Sequence, residues 1–340
     1  MGNAVARPSI LVLPKPTVYR KLFAPESDQR LRALGNVDYN PDERDLSSIE
    51  LASRVENYDI VVSGWGSPKF NDAVLEKAHR LKLIAHSAGS IKFMINADAL
   101  GNGFAVTSVS IAMAPAVAET SLLLIMLCTR GIHKLDARMK RGEDWLTVKA
   151  TGSGRELAGQ RVGVIGAGYV GRRFIKLLTA MDVDVMIYDP YVTDQQAREL
   201  GVTKSATLDE LLSGCPIVSL AAPVTDETRK MIGKRELALL RDGAIFINTA
   251  RSALVDSEAL YAEFKSGRIS GALDVFDQEP LPSDHPLRKL ENVIVTPHIA
   301  AATRDCQLRQ GALTVDEVER LVKGEPLKYA VTKQQYAMMA

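Results

Sequence analysis

The stretch Arg161-Val-Gly-Val-Ile-Gly-Ala-Gly-Tyr-Val-Gly-Arg-Arg173 constrains the fold more than any other part of the chain. A buried apolar strand runs straight into Gly166, Gly168 and Gly171, and a helix-prone run from Arg172 to Ala180 follows. The three glycines divide the work: Gly166 makes the tight turn, Gly168 lets a pyrophosphate approach bare backbone, and Gly171 lets the helix pack close to the strand. An anion held there sits on a helix N-terminus, where unpaired amides and the positive end of the dipole favour negative charge. The next apolar strand, Val183 to Tyr188, delivers Asp189 eighteen residues after Gly171, about the spacing expected for an acid that binds an adenosine ribose.

A chain of 340 residues has room for two domains, and 46% hydrophobic with 24% charged residues is a globular composition. Lys plus Arg number 42 against 41 Asp plus Glu, so no global field draws nucleic acid or an anionic membrane, and neither is expected as a partner. Cys128, Cys215 and Cys306 are an odd number without metal-ligand spacing, which points away from a disulfide framework and from a metal site and toward a reducing compartment. Residues 1–8 do not read as a signal peptide, and Ala6 stands where a myristoylation signal after Gly2 needs Ser or Thr. The apolar region Ile111 to Cys128 contains Pro115 and Glu119 and makes a poor membrane span. The expected location is the cytoplasm.

From Ser9 to about Ser108 short apolar runs alternate with helical patterns. Strands are expected at Ile10–Leu13, Asp59–Val62, Leu83–His86 and Phe104–Thr107, and helices at Tyr19–Leu34, Leu46–Asn57 and Asn71–Ala78. The alternation implies a parallel sheet of about five strands, with ligand-facing loops at the strand C-termini, Ser63–Ser67 and Ser87–Lys92. Pro115 to Arg130 reads as a long helix, apolar on nearly every side and therefore central or packed on a second subunit. Lys140 to Leu157 reads as loop-rich. After Asp189, strands at Ile217–Ala221, Ala244–Asn248, Gly271–Val275 and Val293–Val295 alternate with helices at Leu208–Leu212, Lys234–Leu240 and Ser257–Ser266. The last helical segment, Cys306–Lys323, crosses back to the first domain. The expected fold is α/β with two parallel-sheet domains: a flavodoxin-like substrate domain from 1–114 and 303–340, and a Rossmann dinucleotide-binding domain from 115–302 inserted into it.

Arg251, Glu279 and His298 each follow the C-terminal end of a different expected strand of the second sheet, the edge where open α/β folds hold ligands. Taken singly, each is more often a surface or structural residue; taken jointly they compose a site. Reducing a 2-oxo acid needs a hydride, a proton for the developing alkoxide, and a cation that holds the carboxylate and polarises the ketone. A His supplies the proton, an Arg the planar fork, and a Glu beside the His favours its imidazolium and fixes the ring.

Gly166-x-Gly168-x-x-Gly171, Asn248-Thr-Ala-Arg251, Asp274-Val-Phe-x-x-Glu279-Pro280 and Thr296-Pro-His298-Ile-Ala together resemble the NAD-dependent D-2-hydroxyacid dehydrogenase family. The similarity is strongest from about Val117 to Ala302. It implies Arg251, Glu279 and His298 as catalytic residues, NAD as cofactor, a small 2-oxo or 2-hydroxy acid as substrate, and a homodimer. It also implies cofactor contacts at Tyr169, Val170, Ala222, Pro223, Thr228, Thr249, Ala250, Arg251, His298 and Ala300, with Arg172 near the pyrophosphate; Asp274 is either such a contact or purely structural. Asp189 is expected to bind both ribose hydroxyls and repel the extra phosphate of NADP. Amides of Ala88, Gly89 and Ser90, together with Arg251, are expected to hold the substrate carboxylate, and Lys92 a second anionic group on it. In this loop the chain departs from its relatives, with Ser90 to Lys92 where many carry an Asp-Asn turn and Met113 where an Asn is common. Glu279 in place of Gln argues against a formate dehydrogenase. Phosphoglycerate, glyoxylate, hydroxypyruvate and phosphite-type chemistry stay open, as does a corepressor-like protein that senses the nucleotide without turnover.

Overall fold

A computed structural model describes residues 7–152 and 154–339. The readings at Gly2 and Ala6 lie outside the described residues. The chain forms two compact units, one from residues up to Met113 together with those from Thr303 onward, the other Ala114–Ala302.

In chain order, the first unit begins with β1 (Ser9–Val12), α1 (Pro16–Leu22), α2 (Pro25–Leu34), β2 (Asn36–Tyr39), α3 (Ser48–Ala52), β3 (Ile60–Ser63), α4 (Asp72–Leu75), β4 (Leu83–His86) and β5 (Ala105–Ser108). The second holds α5 (Ala114–Arg130), α6 (Ile132–Lys140), α7 (Trp145–Ala150), β6 (Arg161–Ile165), α8 (Tyr169–Thr179), β7 (Asp184–Tyr188), α9 (Asp194–Glu199), β8 (Thr203–Lys204), α10 (Leu208–Gly214), β9 (Ile217–Leu220), α11 (Lys234–Leu239), β10 (Ile245–Asn248), α12 (Ser257–Ser266), β11 (Ser270–Leu273) and β12 (Val293–Val295). The chain then returns to the first unit through α13 (Arg304–Lys323) and α14 (Lys333–Ala337).

Both sheets are parallel throughout. The first has the order β2-β1-β3-β4-β5, the doubly wound order of flavodoxin-like sheets, and the second the order β12-β11-β10-β9-β6-β7-β8, a Rossmann order extended by one strand. Side chains alternate across each sheet, so both faces need cover. In the first unit Leu11, Val61, Ile84 and Val106 enter one core, while Ile10, Val12, Ile60 and Val62 enter another with Val315 and Val318 of α13. In the second unit Val162, Val164 and Ile247 pack with Phe174 and Ile175 of α8 and Ala118, Leu124 and Ile125 of α5. By length and composition Ser110–Arg130 is apolar enough to cross a membrane. Its buried Ala118, Leu124 and Ile125 are part of this core.

Several elements differ from the sequence expectation for identifiable reasons. The expected helix Tyr19–Leu34 is two helices, because Pro25 cannot continue α1 and instead opens α2. Leu46–Asn57 splits into α3 and a 3-10 turn over Val55–Asn57, with Ser47 and Glu50 closing a capping box ahead of α3. β2 and the two-residue β8 escape a hydrophobicity reading because Asn36–Tyr39 and Thr203–Lys204 sit beside the sheet edge and are largely polar. The segment read as loop contains α7, capped by the Asp144 side chain on the Thr147 amide. β11 ends at Leu273, so Asp274 and Val275 belong to the following loop.

Candidate functional site

The turn after β6 has the geometry that its glycines allow. Gly166 has a φ of 97°, and a Cβ on it would lie 2.6 Å from the Ala222 amide nitrogen, while one on Gly171 would lie 2.1 Å from the Gly166 carbonyl oxygen. Neither position admits a side chain. A Cβ on Gly168 meets nothing within 4 Å, so the chain leaves open space at the N-cap of α8, where the first-turn amides of Tyr169, Val170 and Gly171 point. That space fits a pyrophosphate approaching bare backbone. The Arg172 side chain folds back, its Nε donating to the Ala167 carbonyl at 2.9 Å. Asp189 accepts the Ala167 amide at 2.7 Å on one oxygen and the Tyr191 amide at 2.9 Å on the other. Each oxygen keeps a lone pair, so the acid fixes the glycine turn without losing its capacity for hydroxyl donors. Across the switch point, Ala222 is buried against Gly166, and Thr228 Oγ1 donates to the Pro223 carbonyl at 2.7 Å, pinning the loop after β9.

Three loops beyond β10, β11 and β12 carry Arg251, Glu279 and His298. Asn248, at the end of β10, clamps the first: its amide donates to the Arg251 carbonyl at 2.9 Å and its oxygen accepts the Ala250 amide at 3.0 Å. Thr249 is held from behind by Ser121 of α5, with hydroxyl oxygens 2.8 Å apart. Arg251 is half-buried; Nη1 donates to the Ala250 carbonyl at 2.7 Å, and among the described residues no carboxylate lies within 4.0 Å of its guanidinium. Burial pushes its pKa down and the charge of Glu279 opposes this.

His298 Nδ1 lies 2.7 Å from Glu279 Oε2, and Glu279 Oε1 accepts the Phe276 amide at 3.0 Å. Burial tends to raise the Glu279 pKa, but the bonds from His298 and Phe276, with the charges of His298 and Arg251, hold it below the usual carboxylate value. With Nδ1 engaged, Nε2 is the nitrogen free for a ligand. His298 has a φ of 53°, rare for a non-glycine residue, and Asp274 shows what holds it there. The Asp274 carboxylate is fully buried and accepts the Thr296 hydroxyl at 2.6 Å, the Ile299 amide at 2.9 Å and the Ala300 amide at 2.8 Å. Of the two readings of Asp274, the geometry favours the structural one. Asn248 is the residue whose work the sequence did not reveal; the available signal was a polar side chain at the end of an otherwise buried strand.

In the first unit, Ser108 Oγ donates to the carbonyls of Ala88 and Gly89, and among the described residues no protein acceptor is seen for the amides of Ala88, Gly89 and Ser90. Lys92 departs from expectation. Its ammonium donates to the Met339 carbonyl at 2.5 Å and the Ala337 carbonyl at 3.3 Å, because the C-terminal end of α14 presents unpaired carbonyls that attract a cation.

Residues 122–300 match the family model described as D-isomer specific 2-hydroxyacid dehydrogenase, NAD binding domain. A glyoxylate reductase of Korarchaeum cryptofilum is 30% identical over 316 residues, covering 92% of this chain and 94% of that protein. A D-3-phosphoglycerate dehydrogenase of Methanocaldococcus jannaschii is 34% identical over 281 residues, 82% of this chain but only 53% of the relative, so the chain spans about half of that protein's length. The crystal structure of the PH0520 protein from Pyrococcus horikoshii OT3 superposes with a TM-score of 0.80 at 28% identity, covering 97% of this chain and 96% of that one. The chain therefore belongs to the D-isomer specific 2-hydroxyacid dehydrogenase family, and its second unit is that family's NAD-binding domain.

Proposed function

We propose that the protein interconverts 2-oxo acids and D-2-hydroxy acids, with Arg251, Glu279 and His298 as its catalytic residues. The observation that carries this reading is the pairing of His298 Nδ1 with Glu279, 2.7 Å apart, on loops of the same sheet edge as a half-buried Arg251 that has no carboxylate within 4.0 Å among the described residues. Bound NADH supplies the hydride. Gly166, Gly168 and Gly171 seat its pyrophosphate, and Asp189 accepts from the ribose hydroxyls, which favours NAD over NADP. Ala222, Pro223, Thr228, Thr249 and Ala250 line the same binding surface. Arg251 binds the substrate carboxylate with its planar fork and polarises the ketone. The His298 imidazolium donates from Nε2 to the developing alkoxide, while Glu279 holds the ring and stabilises its charge. Amides of Ala88, Gly89 and Ser90 contribute to carboxylate binding.

The proposal extends to assembly and location. Leu123 and Met126 of α5, Ile132 and Met139 of α6, and Trp145 and Leu146 of α7 are exposed, a run of large apolar side chains that a second copy would cover, giving a homodimer. Three free cysteines suit the cytoplasm. The test of function is to supply NADH with a panel of 2-oxo acids and resolve the products by chiral chromatography. D-2-hydroxy acid formed in step with NADH consumed is the expected result, and L-product or no product contradicts it.

A further inference from the structure

We propose that Ser108, at the end of β5, is a positioning residue whose hydroxyl aims the backbone amides of Gly89 and Ser90 at the substrate carboxylate. This rests on the 2-oxo acid reading above and deepens it by one residue.

The geometry of two successive peptides carries the inference. Ser108 Oγ lies 2.5 Å from the Gly89 carbonyl oxygen and 3.3 Å from that of Ala88, so one hydroxyl serves both. Among the described residues the one cis peptide bond is Glu279-Pro280, which makes Ala88–Gly89 and Gly89–Ser90 trans. In a planar trans peptide the N–H points opposite to the C=O. Two carbonyls turned onto Ser108 therefore turn the amides of Gly89 and Ser90 away from it. Both residues are half-buried, and neither amide has an acceptor among the described residues. Buried amides are costly to leave unpaired, and two consecutive ones presented together form a concavity that suits a carboxylate.

Ser108 can act in this way because its own place is fixed. It pairs with His86 in the parallel register of β4 and β5, and its amide donates to the Tyr329 carbonyl at 3.1 Å. Tyr329 is held in turn: its amide donates to Glu317 Oε2 at 2.9 Å and the Lys328 amide to Oε1 at 3.2 Å, on a residue of α13 that is fully buried. The loop is fastened at either end as well, where Ser87 Oγ donates to the Ser63 carbonyl at 2.8 Å and the Tyr336 hydroxyl to the Ile95 carbonyl at 2.9 Å. Between those ends, and among the described residues, no other group donates to the Ala88 or Gly89 carbonyl. Removing the Ser108 hydroxyl therefore frees both peptide planes while the rest of the loop stays anchored.

The experiment compares the wild type with Ser108→Ala and with Ser108→Cys, which keeps the volume but donates weakly. Kinetics use saturating NADH and the most active acid of the panel above. The Kd of oxamate, a 2-oxo acid analogue that accepts no hydride, is measured by titration into the NADH complex. Ser108→Ala is expected to raise both KM and the oxamate Kd about tenfold, with kcat and NADH affinity changed less than about twofold, because the carboxylate is bound alike in ground and transition states. Ser108→Cys is expected to fall between the two. KM and oxamate Kd unchanged in both variants would overturn the inference, and so would parallel losses of kcat, NADH affinity and melting temperature, which mark a merely structural hydroxyl. If no acid oxidises NADH, the reduction reading fails; oxamate binding weakened about tenfold in Ser108→Ala would still uphold the role of Ser108, and absence of oxamate binding to the wild type would overturn it too.

Discussion

At the scale of single residues, Glu279 makes the sharpest prediction. Its pKa is lowered in the folded chain, so its contribution is present above the ordinary carboxylate range and is lost only as pH falls through the lowered value. At neutral pH it is ionised, and in the proposed mechanism its charge supports the proton-donating ring of His298. Glu279→Gln removes that charge, and the alkaline limb of the kcat/KM profile for reduction should move to lower pH while NADH affinity changes little. An unmoved limb would assign Glu279 a purely positional role. Asp189 makes the second: Asp189→Ala should narrow the preference for NADH over NADPH by removing repulsion, measured as the ratio of kcat/KM for the two cofactors. The same variant releases the Ala167 amide, so some loss with NADH accompanies the change. A wild-type preference for NADPH would contradict the assignment.

Single elements show where sequence stops being legible. The strand, glycine turn and helix at Arg161–Thr179 were readable because each glycine answers a steric demand that no other residue meets. Arg251, Glu279 and His298 were readable as residue types past strand ends. The φ of His298 was not, because it depends on Asp274 collecting donors from a loop more than twenty residues away. The contacts of Lys92 were not legible for a similar reason, since its partners lie near the opposite end of the chain. β4 carries a further consequence that only burial reveals. His86 is fully buried, with Nδ1 3.0 Å from Ser63 Oγ and Nε2 without a partner among the described residues, and burial pushes its pKa down to about 4. A base whose folded pKa lies below its unfolded one contributes full stability above the unfolded value and loses it as pH falls toward the folded one. Between pH 6.5 and pH 5 the loss is about 2 kcal/mol. His86→Gln should flatten this part of the urea-midpoint profile; an equal slope in both proteins would place the acid sensitivity elsewhere.

For the whole molecule, the proposed homodimer places the exposed residues of α5, α6 and α7 at its interface. Sedimentation velocity should show twice the monomer mass for the wild type, and Trp145→Glu with Leu146→Glu should shift it toward monomer; a wild-type monomer at micromolar concentration would rule out the dimer. The sequence reading made α5 central or subunit-facing; in the structure Ala118 and Ile125 are buried while Leu123 and Met126 are exposed. What alternation could not reveal were edge strands such as β2, whose polar residues lack a hydrophobic signature.

The central claim, proton transfer from a His298 oriented by Glu279, is tested most directly by His298→Ala. NADH binding is followed by fluorescence titration and single-turnover oxidation of bound NADH by a 2-oxo acid is measured across pH. The expected result is unchanged NADH affinity with oxidation slowed by about a hundredfold or more at every pH. Oxidation near the wild-type rate in that variant would contradict the account.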